Sequence, residues 1–112
     1  MYGVRDLVEV IRRRSADLVN VKLAKCGGLG AAATLLELAR AQGMGSIVGS
    51  MMETQVGVAA AASLVAAHGT STISDLDAAW WASASPVVGG MTYDGATVVL
   101  PDAPGLGIEG LA

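Results

Sequence analysis

Val19-Asn20-Val21-Lys22-Leu23-Ala24-Lys25-Cys26-Gly27-Gly28-Leu29-Gly30 is the stretch whose reading decides the fold. It reads as a short buried strand that stops in glycine and opens a helix. Side chains of a strand alternate between its faces. Val19, Val21 and Leu23 therefore share an apolar face that wants a covering helix, while Asn20 and Lys22 share the other. That second face carries an amine near the strand's C-terminal end, and an amine is costly to bury unless it is used or paired.

Outward from this stretch, strands and helices alternate. Residues 4–14 place Val4, Leu7, Val8 and Ile11 on one helical stripe. A strand is expected at about 18–23. Leu29–Ala41 is expected as a helix burying Ala32, Leu35, Leu36 and Ala39, with Glu37 and Arg40 paired on the wet side and Gly43 just past its end. Residues 45–50 read as a second strand. Residues 55–67 read as a helix apolar on nearly every side, hence buried all round. Residues 73–76 read as a third strand. Strand starts near 18, 46 and 73 give a period of about 28 residues, close to the roughly 30 per unit of an eight-unit βα-barrel. Strands alternating with helices imply a parallel sheet with right-handed crossovers.

After Asp77 the pattern changes. Asp94-Gly95 between Met91-Thr92-Tyr93 and Thr97-Val98-Val99 is a hairpin signal. Pro101, Pro104, Gly105 and Gly107 read as irregular closing structure. The division expected is 1–79 as three βα units of a partial barrel and 80–112 as a return segment with a hairpin. Three parallel units cannot close a barrel and leave open sheet edges. The chain therefore reads as part of something larger.

Composition narrows the function. The 112 residues are 53% hydrophobic and 15% charged, with net charge −3. That is too apolar for disorder, and without a basic stripe nucleic acid is not an expected partner. Arg12-Arg13-Arg14 reads as a cationic helix end. The apolar run Val56–Ala67 is shorter than the roughly 20 residues of a membrane span. One cysteine, Cys26, forms no disulfide framework, and because residues 1–6 lack an apolar core no secretory leader is expected. A cytoplasmic setting is expected.

Several constellations carry chemistry. Lys22, at the C-terminal rim of a parallel strand, is either a proton-transferring amine, its pKa lowered toward neutrality by desolvation and a nearby cation so that it can serve as a base, or a lysine snorkelling to water. Lys25 falls in the following loop and is a rim or support residue. Asp75-Leu76-Asp77 puts two carboxylates on one face, about 7 Å apart; they hold a cation, or one caps the next turn and the other is solvated. Ser50-Met51-Met52-Glu53 ends the middle strand. Its backbone N–H groups can receive a carboxylate, and Glu53 can hold the rim lysines. Gly28-x-Gly30-x-x-Ala33 fits a dinucleotide fingerprint in form only, without the acid expected about 20 residues on; a tight turn is the plainer reading. His68 ends a helix and has no second histidine to work with.

Taken together, Asn20–Gly28, Val48–Thr54, Asp75-Leu76-Asp77-Ala78, Pro86–Gly90 and Pro101–Ile108 resemble the C-terminal part of the enolase superfamily, in its muconate lactonizing enzyme subgroup. The first three resemble barrel strands six, seven and eight with their following turns. The acid pair is most similar to that of dipeptide epimerases of the L-Ala-D/L-Glu type. The resemblance implies an enolase-type modified TIM barrel and an isomerase acting by α-proton abstraction next to a carboxylate. It implies that Lys22 is one of two lysines flanking the substrate α-carbon, that Asp75 and Asp77 bind an α-ammonium group, and that Ser50, Met51 and Met52 line the pocket. It also implies a Mg²⁺ ion in the complete enzyme. The capping domain, the Lys-x-Lys and the acidic metal ligands that go with it have no counterpart here, so the 112 residues alone are expected to be inactive. Muconate cycloisomerisation, o-succinylbenzoate synthesis, a non-catalytic half-barrel and a small nucleotide-binding domain are the alternatives. Expected partners are a dipeptide or related carboxylate, and either the missing part of the protein or a second copy.

Overall fold

The computed structural model describes residues 1–112. β1 (Leu18–Lys22) and β2 (Gly45–Gly49) pair in parallel, with Val21 opposite Val48 and Lys22 opposite Gly49. Val19, Val21 and Val48 are buried, as β-branched residues on the covered face of a sheet should be. The opening stretch departs from its expectation at one point. The strand ends at Lys22, and Leu23–Cys26 form one helical turn, α2. Gly27 closes that turn at φ +96°, a left-handed conformation natural to glycine, and its N–H and that of Gly28 both bond the Leu23 carbonyl. The glycines are thus separated from the strand by a helical turn, so the dinucleotide-loop geometry is not formed.

Two longer helices cover the strands. α3 (Leu29–Ala41) buries Ala32, Leu35, Leu36 and Ala39, the expected stripe, and Glu37 pairs with Arg40 at 3.5 Å. α4 (Gln55–His68) buries Val58, Ala59, Ala61, Ala62 and Leu64 but leaves Val56, Ala66 and Ala67 exposed. The expectation of burial all round is therefore corrected: within this chain α4 has neighbours on only one side. α1 (Val4–Arg13) sets Leu7 into the same core, with Val8 and Ile11 half-buried and Val4 exposed. Arg12 and Arg13 both reach Glu9 on its wet face.

The third strand forms less than expected. Residues 73–76 give a single parallel bridge, Gly49 with Asp75. Asp75 N–H donates to the Val48 carbonyl at 3.0 Å, and Ser50 N–H donates to the Asp75 carbonyl at 2.8 Å. The other edge has no strand beside it to extend the ladder. A 3-10 turn, Ala78–Trp81, follows and straddles the division expected at 79/80.

The return segment folds back onto the units. The hairpin forms as expected, from β4 (Thr92–Asp94) and β5 (Thr97–Val99), and Met91 joins the core. The closing stretch is not wholly irregular, which corrects the expectation. β3 (Val87–Gly89) pairs antiparallel with β6 (Ile108–Leu111). That pairing spans about twenty residues of chain, and Ile-Glu-Gly-Leu carries no local alternation to announce it. No helix is long and apolar enough to cross a membrane.

Candidate active site

The C-terminal ends of β1, β2 and the 73–77 stretch lie side by side, and the rim residues meet there. Lys22 is the last residue of β1 and its side chain is 20% exposed. Its Nζ donates to the Ser50 carbonyl at 2.8 Å and lies 3.9 Å from Asp75 Oδ2. The charged neighbour in this chain is thus a carboxylate rather than the cation that the amine-as-base reading supposes. Carbonyl and carboxylate together hold an ammonium, which donates three hydrogen bonds and accepts none. Asp75 is more than half exposed, so its Coulomb attraction is softened by water.

Gly49 was not singled out from sequence, yet it makes this placement possible. A Cβ there would stand 2.6 Å from Asn20 Oδ1 and 3.1 Å from Lys22 Cε. Asn20, Lys22 and Gly49 share one face of the parallel pair, and the missing side chain leaves the groove in which the lysine lies. A glycine inside a strand is the available signal for such close approach.

Asp75 and Asp77 are both exposed and Leu76 between them is buried, in keeping with opposite faces. Asp77 has already turned into the 3-10 conformation and accepts the Trp81 indole N–H on Oδ2 at 3.0 Å. The two acids line a cleft of about 540 Å³ that runs along the free edge of the 73–77 stretch. Trp80, Trp81, Tyr93 and Ile73 are among its walls, while Lys22 and Ser50 lie outside it. Tyr93 bonds the Leu76 carbonyl at 2.8 Å. Burial pushes the Tyr93 hydroxyl above its ordinary pKa, partly offset by the Ala79 and Trp80 N–H groups, with the Asp77 charge adding a smaller upward push.

Ser50 is buried, and its hydroxyl bonds the Asp75 carbonyl at 3.2 Å, tying the two strand ends together. Met51 and Met52 are exposed at the head of the loop before α4. Glu53 does not reach a lysine. Its Oε1 accepts the Met51 N–H at 3.1 Å, and its side chain lies over Gly57, where a Cβ would meet Oε2 at 2.6 Å. The carboxylate of Glu53 therefore takes the N–H group that the sequence offered to a ligand. Lys25 lies in α2 with its Nζ 6.0 Å from the Tyr2 ring centre, away from the rim cluster. Cys26 is a free, half-buried thiol. No three His, Cys, Asp or Glu side chains come together in a way that could hold a metal ion.

Parallel strands that alternate with helices, with an amine and carboxylates at their C-terminal ends, define a segment of a βα-barrel with its polar site at the rim. The family model described as enolase C-terminal domain-like matches residues 1–110, and the chain belongs to that family. It is 44% identical over 112 residues to the L-Ala-D/L-Glu epimerase of Bacillus subtilis, covering all of this chain and 31% of that protein. It is 42% identical over 111 residues to the L-Ala-D/L-Glu epimerase of Clostridium acetobutylicum, covering 99% of this chain and again 31% of the relative. The solved substrate-liganded complex of the Bacillus subtilis epimerase superposes with a TM-score of 0.94 at 42% identity, over all of this chain and 31% of that one. The Enterococcus faecalis dipeptide epimerase, solved with Mg and the dipeptide L-Leu-L-Tyr, gives 0.89 at 35% identity, over 96% and 31%. The chain thus spans about a third of the length of the relatives it matches.

Proposed function

We propose that these residues are the C-terminal part of a cytoplasmic, Mg²⁺-dependent epimerase that inverts an α-carbon next to a carboxylate, with L-Ala-D/L-Glu dipeptides as substrate. The observation that carries this is the convergence of Lys22 Nζ, the Ser50 carbonyl and Asp75 Oδ2 at the ends of neighbouring parallel strands. The epimerases named above support it from sequence and fold.

Each residue has a role in the proposal. Lys22, positioned by the Ser50 carbonyl beside Asp75, delivers a proton to one face of the α-carbon; in the reverse direction it takes that proton back. A positioned proton donor is worth typically 10²–10⁴-fold in rate. The opposite face needs a second base from outside these 112 residues. Asp75 and Asp77 receive the dipeptide's α-ammonium group, which sets dipeptides above the purely anionic substrates of muconate cycloisomerisation or o-succinylbenzoate synthesis. Ser50, Met51 and Met52 form the pocket wall, with the unbonded Met52 N–H free for a substrate oxygen. The side chains present do not fit a Mg²⁺ site. Asp75 and Asp77 stand without a third acidic, histidine or cysteine side chain close enough to complete a metal site. The ion, which would stabilise the enediolate's charge when bound, must find its ligands elsewhere in the complete enzyme.

The test is a chimera in which residues 1–112 replace the matching stretch of the Bacillus subtilis epimerase. It is expected to interconvert L-Ala-D-Glu and L-Ala-L-Glu and to exchange the α-proton in D₂O, while the isolated chain does neither. Lys22→Ala in the chimera should lower exchange by about 10²–10⁴-fold. Exchange retained from both epimers in that variant sinks the role given to Lys22. A folded, Mg²⁺-supplied chimera with no epimerase activity refutes the substrate assignment.

A further inference from the structure

One polar contact at the rim belongs to neither the lysine nor the acids themselves. Tyr93 comes from β4 of the hairpin, seventeen residues after Leu76. Its hydroxyl donates to the Leu76 carbonyl at 2.8 Å, and Leu76 is the residue between Asp75 and Asp77. The Tyr93 ring meets Trp80 edge-on, with centroids 5.4 Å apart and planes at 80°. The next residue, Trp81, holds Asp77 Oδ2 at 3.0 Å through its indole N–H. The Leu76 side chain itself is sunk in the core. The peptide after Leu76 is therefore held by the packing of its side chain and, at the edge away from β2, by the Tyr93 hydroxyl.

We infer that Tyr93 is a positioning residue for the acid pair, fixing the peptide between Asp75 and Asp77 and thereby the direction in which both carboxylates meet a substrate ammonium. This rests on the proposal that the acids receive that ammonium. The physical need is plain. The stretch has a hydrogen-bonded strand on one edge only, so its second edge would otherwise be free to tilt. Backbone on a free edge opens readily. Tyr93 supplies from the hairpin the restraint that a second neighbouring strand would give. Asp77 depends on it most, because it has left the extended conformation and lies beyond the last ladder bond.

Two measurements test this, both on Tyr93→Phe, which keeps the ring against Trp80 and removes only the hydroxyl. In the chimera, hydrogen exchange of the Trp81 indole N–H, followed by NMR, should speed up about fivefold, the value of one ordinary hydrogen bond. An unchanged rate overturns the inference. In the chimera, kcat/KM for the free-amine dipeptide should fall about five- to tenfold, mainly through KM, while that for its N-acetyl counterpart stays the same. An equal loss on both substrates means that Tyr93 serves stability alone and overturns the inference, as does a lowered melting temperature with unchanged discrimination. Asp77→Asn separates the two levels. If it leaves the preference for the free amine untouched, the ammonium reading itself fails. If it erases the preference and Tyr93→Phe does not, the ammonium reading stands and the positioning role falls.

Discussion

A methyl group at position 49 would show whether Lys22 works from the place the fold gives it. Gly49 is buried in β2 and sits opposite Lys22 across the parallel pair. Its backbone is not left-handed, so alanine meets no conformational penalty there. The obstacle is contact. The new Cβ would stand 2.6 Å from Asn20 Oδ1, 3.0 Å from Asn20 Nδ2 and 3.1 Å from Lys22 Cε. Carbon atoms rest comfortably at about 3.5–4.0 Å, so the lysine must retreat by about 0.4 Å or more, and the Asn20 amide must swing aside. Both are side-chain ends that can move. The overpacking cost therefore falls at the low end of the usual 1–3 kcal/mol, and alanine returns about 0.5–1 kcal/mol through lower chain entropy than glycine. The net loss is about 0.5 kcal/mol, a drop of about 1–2 °C in Tm for a protein of the chimera's size. Function should suffer more than stability. A misplacement of 1 Å can cost about 10²-fold, so a shift near half that, relayed to Nζ and its 2.8 Å bond to Ser50, should slow proton transfer about tenfold. The assay is loss of the substrate α-proton signal by ¹H NMR in D₂O, run on the chimera beside a thermal melt. Exchange within twofold of the parent, with the melt lowered as expected, would refute the reasoning that this groove positions the amine.

Further outcomes follow from the same structure. Leu35 is fully buried between α3 and the sheet, and Leu35→Ala should cost about 2–5 kcal/mol by thermal or urea unfolding. Arg14 ends α1 at φ +50°, the one non-glycine residue with a left-handed backbone; Arg14→Gly should stabilise by about 0.5–1 kcal/mol, read as a raised Tm. Tyr93 keeps its proton more tightly in the folded chain, so its contribution to stability is full below about pH 10 and is lost as pH rises through the elevated folded value. Melts between neutral pH and pH 11 should show an alkaline decline in stability that Tyr93→Phe makes shallower; an identical decline in both contradicts the burial argument.

Local pattern carried much of this protein. The alternation of Val19 and Val21, the stripe of Ala32, Leu35, Leu36 and Ala39, and the Asp94-Gly95 turn each depend on neighbours within a few residues, and each formed as read. The pairing of β3 with β6 was not legible, because Ile108–Leu111 shows no period and its partner lies far along the chain. The composition of α4 implies burial on every side but says nothing of which neighbours this chain supplies.

At the rim the division is the same. Strand parity and spacing alone put Lys22, Ser50 and Asp75 at one end of a parallel sheet, since strand direction and period are local properties. Only the tertiary structure decided what each one touches. It gave Lys22 an anion and a carbonyl for neighbours, turned Glu53 onto its own loop, and sent Lys25 toward Tyr2. It also brought Gly49 and Tyr93 into the site, one by the close crossing of two strands and the other by the return of a distant hairpin. Side-chain partners at a few ångströms depend on how separate segments come together, and no sequence period encodes that distance.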